Sequence, residues 1–465
     1  MLAFLEPLEE LADYQEIVRK RGKAEGILQI AGCVSSQKTH LMYALGDGFE
    51  YRVIVFSSEE KAKQAYEEYK MLEENTFLYP AKDLLFYHAD IKGAALTGKR
   101  MEVLKKLTEK KNREPVTVIT TADAFLDGLP SKEKLWESRI EIEAGAVIDF
   151  QKLQEELVHL GYERESQIEG PGQFAVRGGI LDVYPLTEEI PVRIELWGDE
   201  IDSIRSFDVE SQRSVENMEQ VVIYPATENV EKEEQAVSFA EYFPKEKSLF
   251  FFDEPVRLQE TLEAVEKEYF HSFESRKNAG MTEEADEIRV FQTKEIIEKF
   301  NTRYGIGLTT LETRCGGFKV RDVYSIQAAG VNPYNNSFEM LTQDLKKLKR
   351  QGYRVILVSG SRTRAKRLAE DLRDYDLSSF YSEDMVRTVR PGEIMVVYGC
   401  VAEGYEYPML KFMVISESDI FGKRKKKRRR KVYEGQKIQE FAELKPGDYV
   451  VHENHGLGVY QGIEK

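Results

Sequence analysis

The sequence predicts an α/β protein: a parallel-sheet domain that is interrupted by an inserted α+β domain and followed by a second, smaller α/β domain. In the first 126 residues, short apolar runs such as 26–31, 51–56 and 116–119 alternate with amphipathic helical segments. Such alternation is typical of a parallel sheet covered by helices. Between residues 170 and 214 the pattern changes to closely spaced short strands separated by glycine and proline turns, which indicates the insertion.

Further changes of pattern predict where the domains begin and end. Alternation of strands and helices resumes after residue 336, and a nine-residue basic run begins at residue 423. The predicted parts are one α/β domain formed by residues 1–126 and 227–335, an inserted α+β domain at 127–226, a small α/β domain at 336–422, a basic linker at 423–440, and a short β unit at 441–465.

The composition is that of an acidic globular chain. The 465 residues carry a formal net charge of −16, and the basic run at 423–431 contributes +9, which leaves −25 for the remainder. A surface this acidic argues against general nucleic-acid binding, so any such contact would be local. The basic run has two interpretations, a local nucleic-acid contact or a solvated linker whose charges repel one another.

The cysteines and the apolar runs indicate a cytoplasmic protein without a metal centre. The three cysteines lie far apart, so they form neither a zinc motif nor a disulfide framework. No apolar run approaches the ~18 residues of a membrane-spanning helix, and acidic residues follow the first five too closely for a signal peptide. We therefore expect no metal, no membrane contact and a reducing compartment.

A degenerate phosphate-binding loop follows the first predicted strand. Gly32, Lys38 and Thr39 match a Walker A loop, but Gln37 stands where that loop needs its second glycine. The missing glycine would let backbone amides curl around phosphates. We expect the glutamine side chain to intrude into the phosphate space instead.

An apolar strand that ends in two carboxylates has the pattern of a Walker B motif. Asp253 and Glu254 follow three phenylalanines, although an Asp-Glu pair also occurs in ordinary turns. No segment supplies the arginine motif that the second lobe of a motor needs. We therefore expect this chain to have no catalytic residue and to bind no cofactor.

The strand at Val192–Trp197 predicts a sheet with one apolar face and one face that carries arginine and tryptophan. Because side chains alternate along a strand, the apolar residues at 192, 194 and 196 share the core face, while Arg193 and Trp197 share the other. Arg177, on an earlier strand, is predicted to point the same way as Arg193. This face is either a solvated surface or a protein-binding surface, since arginine and tryptophan are enriched at the centres of interfaces.

Several segments resemble bacterial DNA-repair proteins. The strings GQFAVRGGILDVYP, PVRIELWGDEIDSIRSFD and SQRS resemble the second domain of the excinuclease subunit UvrB and of the transcription-repair coupling factor family. The strings SGSRTRAKRLAEDL, ISESDIFG and GDYVVHENHGLGVYQGIEK resemble the coupling factor. The broken phosphate loop, and a segment at 79–100 without a tyrosine-rich hairpin, also favour the coupling factor over UvrB.

The resemblance implies a fold and a set of partners. Residues 1–126 and 227–335 would form a degenerate RecA-like (P-loop) domain, and a small β-barrel that interacts with RNA polymerase would begin near Lys445. Arg177, Arg193 and Trp197 would contact the damage sensor UvrA, with Trp197 in place of the more common phenylalanine. ATP, magnesium and DNA would be bound by motor domains that these residues do not include.

The function implied by the resemblance is that of an adaptor, which recruits UvrA to stalled RNA polymerase in transcription-coupled nucleotide excision repair. The residues themselves leave two alternatives, a nucleotide-dependent enzyme similar to UvrB, and a nucleic-acid-binding module that acts through the basic run at 423–431. Because the three UvrA-binding side chains are predicted to leave the core, we expect the fold to survive their loss.

Overall fold

The computed structural model describes residues 2–82, 84, 94–109, 114–228, 236–278, 289–383, 386–422, 449–452 and 456–459. The chain divides into two units, Met1–Gly422 and Lys423–Lys465. The basic run at 423–431, the linker at 423–440 and the predicted start of the last domain near Lys445 lie outside the described residues. No helix in the described ranges is long and apolar enough to cross a membrane.

The described residues between 2 and 121 form four strands and five α-helices, in the alternating order that the sequence predicts. The helices are α1 (Leu2–Leu5), α2 (Ala12–Lys20), α3 (Ser35–Leu45), α4 (Glu59–Lys70) and α5 (Ala94–Thr108). The strands are β1 (Gly26–Ala31), β2 (Tyr51–Phe56), β3 (Thr76–Tyr79) and β4 (Val116–Thr121). β1 and β4 are buried along their whole length because helices cover both faces of the sheet.

An α+β region is inserted after β4. Its helices are α6 (Lys132–Glu137) and α7 (Phe150–His159). Its strands are β5 (Ile140–Glu143), β6 (Glu163–Glu165), β7 (Gln173–Arg177), β8 (Ile180–Val183), β9 (Val192–Trp197), β10 (Glu200–Phe207), β11 (Ser214–Met218) and β12 (Gln220–Ile223). Six strands form one sheet in the order β11-β10-β9-β8-β7-β6, and β5 pairs with β12. Leu153 and Leu157 of α7 pack on the apolar face of the larger sheet.

The chain then returns to complete the first sheet. The added strands are β13 (Ser248–Asp253), β14 (Tyr304–Thr309) and β15 (Val320–Ser325), and the added helices are α8 (Pro255–Asn278) and α9 (Thr293–Asn301). The completed sheet has the order β15-β1-β14-β13-β2-β4-β3, and its strand pairs are parallel. The prediction of a parallel sheet in an α/β protein is therefore confirmed.

Arg100 of α5 joins the two points at which the chain passes between the first sheet and the insertion. Its guanidinium donates to Glu228 Oε1 at 2.8 Å and to Asp127, and all three side chains are buried. The guanidinium also lies 4.5 Å from the centre of the Tyr79 ring. Because Asp127 stands at the start of the insertion and Glu228 follows its end, one arginine fixes both crossings.

The described residues of 329–422 form another six-stranded sheet, which we call the third sheet, together with three α-helices. The helices are α10 (Phe338–Arg350), α11 (Arg362–Arg373) and α12 (Glu417–Phe421). The strands are β16 (Ala329–Gly330), β17 (Arg354–Ser359), β18 (Ser379–Ser382), β19 (Ile394–Tyr398), β20 (Tyr405–Tyr407) and β21 (Phe412–Ser416), in the order β16-β20-β21-β17-β19-β18.

The third sheet packs against α3 and α4 of the first through buried polar contacts. His40 lies between the Phe4 carbonyl and the Tyr407 hydroxyl, at 2.9 Å from each. The buried carboxylate of Glu68 accepts the backbone N–H of Ala402 at 3.0 Å. These contacts hold the two sheets in one compact unit.

In the second unit, the described residues form one antiparallel pair. Its strands are β22 (Tyr449–His452) and β23 (Gly456–Val459). Two strands do not close a barrel, so the start of a small β-barrel in this unit remains a prediction.

Candidate functional site

Three neighbouring strands bring Arg177 and Arg193 together around Asp182. Ala175 of β7 lies opposite Asp182 of β8, and Asp182 lies opposite Arg193 of β9. Directly opposed residues of antiparallel strands point to the same face of a sheet. Asp182 and Arg193 therefore share the face away from α7, and Arg177 shares it because it lies two residues beyond Ala175.

Both arginines bind the carboxylate of Asp182. Oδ1 accepts a hydrogen bond from Arg193 Nε at 2.6 Å, and Oδ2 accepts one from Arg177 at 2.6 Å and another from Arg193 at 2.9 Å. The Asp182 side chain is only 2% exposed, so these charge-assisted bonds compensate for its removal from water. Since two guanidinium groups share one carboxylate, the cluster of Arg177, Arg193 and Asp182 carries one net positive charge.

Arg193 is enclosed by its neighbours. Its side chain is 13% exposed, its guanidinium carbon lies 4.2 Å from the centre of the Phe207 ring, and it donates to Gln212 Oε1 at 2.9 Å. The hydrogen bonds to Asp182 raise the pKa of Arg193 above its ordinary value, against the opposing effect of burial. Arg193 therefore lies on the face away from the core, as predicted, but its neighbours enclose the side chain on that face.

Trp197 and Arg177 face solvent. Trp197 ends β9, is 85% exposed, and lies opposite Glu200 across a tight turn. The Arg177 side chain is 46% exposed. Trp197 lies four residues beyond Arg193 on the same strand and face, so ~13 Å separates their backbone positions. The structure brings the two arginines together and places the tryptophan at the other end of the same face.

Alternation along β9 places Glu195 on this face with Arg193 and Trp197, but sequence reasoning missed Asp182 and the ion pairs of both carboxylates. Asp182 anchors both arginines, and Glu195 pairs with Arg205 of β10 and accepts from Ser203 Oγ at 3.1 Å. Alternation along β8 could have placed Asp182 on the arginine face, because both its neighbours are apolar. Which arginine it meets depends on the register between strands, which alternation does not determine.

The degenerate phosphate loop and the Walker B-like pair meet in a set of ion pairs. α3 begins at Ser35, and Gly32 just before it has a φ of +87°, a conformation that favours glycine. Lys38 Nζ donates to Asp253 Oδ1 at 2.6 Å and to Glu254 Oε1 at 2.7 Å. The protein's own carboxylates therefore bind the lysine ammonium group that would contact a phosphate in a Walker A loop.

The charges of this set stabilise one another. Burial alone would lower the pKa of the Lys38 ammonium, but pairing with Asp253 and Glu254 outweighs burial and raises it. Burial alone would raise the pKa of Glu254, but the bonds from Lys38 outweigh burial and lower it. Lys61 adds a second cation, whose Nζ lies 3.0 Å from Asp253 Oδ2. Lys38 and Glu254 are therefore both charged at neutral pH.

Gln37 does not intrude into the phosphate space. Its side chain is fully buried, and its Oε1 accepts the backbone N–H of Val34 at 3.1 Å, which closes the first turn of α3. The described residues that line the neighbouring cavity include Lys38 and Thr39 but not Gln37. The expectation that this glutamine fills the phosphate position is therefore wrong.

The cavity beside these ion pairs has a volume of about 760 Å³. Its lining mixes basic and acidic side chains, among them Lys61, Arg257 and Glu260. At one wall Glu254 Oε1 accepts the N–H of Thr310 at 2.9 Å and its hydroxyl at 2.7 Å. In the parts of the chain that the structure describes, no group of three or more His, Cys, Asp or Glu side chains could hold a metal ion.

Comparison with known families defines the class of protein. A family model described as the UvrB interaction domain matches residues 140–229, which contain the whole face of Arg177, Arg193 and Trp197. A second model, described as the CarD-like/TRCF RID domain, matches residues 444–465. The chain thus contains one segment similar to the UvrB interaction domain and one similar to the RID domain.

The curated relatives that resemble this chain are transcription-repair-coupling factors. The chain is 26% identical to the transcription-repair-coupling factor of Bacillus subtilis (strain 168), across 98% of this chain and 44% of that protein. It is 28% identical to the transcription-repair-coupling factor of Staphylococcus aureus (strain bovine RF122 / ET3-1), across 84% of this chain and 38% of that protein. The resemblance to the amino-terminal part of these factors is confirmed. The chain spans less than half the length of the curated relatives it matches.

Proposed function

We propose that this chain is an adaptor, whose inserted region binds UvrA within a transcription-repair-coupling factor that recruits excision repair to stalled RNA polymerase. The observation that carries the proposal is the face of Arg177, Arg193 and Trp197, which lies within the match to the UvrB interaction domain. The match of residues 444–465 to the RID domain supports RNA polymerase as a second partner.

The face has the chemistry of a protein-docking surface. The excess positive charge at Arg177 and Arg193 suits carboxylates on a partner, and the exposed ring of Trp197 supplies a large area that a partner can remove from water. Because Asp182 and Phe207 already hold Arg193 in place, orienting this guanidinium costs little further entropy on binding.

We also propose that this chain does not hydrolyse ATP, and that residues 1–126 and 227–335 form a degenerate RecA-like domain. A phosphate-loop remnant after β1 that faces the Asp253–Glu254 pair after β13 supports the RecA-like interpretation. The occupation of Lys38 by those carboxylates supports the absence of ATPase activity. A whole protein of this family is proposed to be a DNA translocase, with its ATP, magnesium and DNA bound by motor domains other than these.

The proposal is tested by calorimetric titration of UvrA with this chain. Trp197→Ala is expected to weaken binding by ~30-fold, the effect of losing one central anchor of about 2 kcal/mol. Its thermal melt should match that of the wild type, because the ring is largely exposed. Met409→Ala is the matched control, since Met409 is an equally exposed apolar side chain near the third sheet. Unchanged affinity in Trp197→Ala would contradict the assignment of this face.

A further inference from the structure

We propose that the UvrA-binding surface continues past Trp197, across the first residue of β10, to Val147. This extension, which we call the apolar tip, consists of Val147, Trp197 and the intervening Glu200. It fits a patch on the partner that has an apolar centre and basic groups around it. The proposal rests on the function proposed above and adds the chemistry of the partner at one end of the face.

Backbone hydrogen bonds attach the segment before α7 to the start of β10. Gly145 N–H donates to the Ile201 carbonyl at 2.8 Å, and Ile201 N–H donates to the Ala146 carbonyl at 2.9 Å. Ile148 N–H donates to the Asp199 carbonyl at 2.8 Å. These bonds hold residues 145–148 beside the start of β10, where Val147 and Glu200 form an isolated antiparallel bridge, so the backbone position of Val147 is fixed by the fold.

Glu200 faces both apolar residues of the tip. It lies opposite Trp197 across the β9–β10 turn and opposite Val147 in an antiparallel bridge. Directly opposed antiparallel residues point to the same side, so Val147, Glu200 and Trp197 share one surface. Two strand spacings separate the two apolar residues, a distance of ~10 Å. One protein patch can therefore cover both.

The exposure of this pair stands out from the rest of the chain. Four large apolar side chains in the described residues are more than 70% exposed, and two of them, Val147 at 76% and Trp197 at 85%, flank Glu200. Single exposed apolar residues are ordinary on protein surfaces, whereas adjacent ones mark interaction sites. The fold buries neither side chain, so their apolar area is available to a partner.

Acidic groups surround the apolar tip. Asp199, Glu200 and Asp202 are exposed on and beside the β9–β10 turn, and Glu143 and Asp149 are exposed on either side of Val147. The segments 140–149 and 195–203 contain no lysine or arginine. The docking face therefore combines the net positive cluster of Arg177, Arg193 and Asp182 at one end with a negative rim around the tip. A partner that matches both ends presents acidic groups to the arginines and basic groups around an apolar patch at the tip.

Calorimetric titration of UvrA with tip variants tests this extension. Val147→Asn is expected to weaken binding about fivefold to tenfold, because a polar side chain then enters the apolar contact. The fold should be unchanged, since Val147 is mostly exposed. Val158→Asn is the matched control, because Val158 is an exposed valine on α7, which covers the opposite face of the same sheet. Its affinity should equal that of the wild type.

A second set of variants tests the basic groups that are expected around the apolar patch of the partner. Glu200→Lys is expected to weaken binding about tenfold at low salt and to approach Glu200→Gln as salt rises, because screening removes the new repulsion. Wild-type affinity in both Val147→Asn and Glu200→Lys, with Trp197→Ala still weakened, would overturn the extension and leave the proposed function standing. Wild-type affinity in all three variants would overturn the proposed function as well.

Discussion

Arg193 binds the buried carboxylate of Asp182 on the outer face of the inserted sheet, with its Nε 2.6 Å from Oδ1. Arg177 binds the same carboxylate from the neighbouring strand at 2.6 Å. A residue that the family resemblance assigns to UvrA binding therefore also neutralises a buried charge. Replacing Arg193 is therefore expected to change both stability and affinity for the partner, whereas replacing Trp197 is expected to change affinity alone.

Replacing Arg193 with alanine is expected to lower the free energy of unfolding of the inserted region by about 2–4 kcal/mol. The variant leaves Asp182 buried with one arginine in place of two, and an undercompensated buried charge is costly. Both tryptophans of the chain, Trp136 and Trp197, lie in the inserted region, so their fluorescence during denaturant unfolding follows this region.

Two comparisons separate this explanation from a general loss of packing. Arg177→Ala should cost less than 1 kcal/mol, because that side chain is about half exposed and its ion pair is screened. Adding Asp182→Ala to Arg193→Ala should recover part of the lost stability, since the buried charge is then removed. If the double variant is no more stable than Arg193→Ala alone, the ion pair is not the cause.

Nucleotide binding is expected to be absent, and restoring the missing glycine is not expected to create it. Gln37→Gly changes a residue that points into the protein, while Lys38 remains bound to Asp253 and Glu254. Titration of wild type and Gln37→Gly with a fluorescent nucleotide should show no saturation up to about millimolar concentrations, which corresponds to a binding free energy weaker than about −4 kcal/mol. Saturable binding that disappears in Lys38→Ala would show instead that the lysine is available to phosphates.

The sequence predicted the elements of the fold well, because apolar periodicity reports directly on burial. The parallel sheet, the insertion and the face that carries Arg177, Arg193 and Trp197 all follow from alternation along strands and from the order of strands and helices. Alternation says which side of a strand a residue is on. It does not say how deeply the side chain is enclosed, which is why Arg193 was expected to be more exposed than it is.

The parts that the sequence did not predict depend on contacts between distant segments. Val147 stands 50 residues before Trp197, and only the pairing with Glu200 brings the two to one surface. Gln37 was expected at the phosphate position because loop motifs are aligned by residue spacing. In the structure that residue caps the first turn of α3 with its side chain, and spacing alone carries no information on where a side chain points.

The contact between the first and third sheets is expected to weaken in acid because of His40. Burial lowers the pKa of His40 from 6.5 to about 4, since the ring lies between Phe4 and Tyr407 in the interior. Between pH 6.5 and pH 4 the unfolded chain binds a proton at this position and the folded chain does not. The stabilising effect of neutral His40 is therefore complete above about pH 6.5 and is lost as the pH falls toward 4, by about 3 kcal/mol in total.

Comparison with His40→Gln isolates this effect in denaturant unfolding of the whole chain between pH 7 and pH 4.5. Glutamine can bond to both neighbours but does not titrate, so the variant should lose less stability than the wild type over this range. Glu68 acts in the opposite sense, because burial raises its pKa and its contribution is lost as the pH rises. That contribution is the same in both proteins and cancels in their difference. Parallel stability curves for the two proteins would show that His40 is not the acid-sensitive group, since every other titrating side chain is shared.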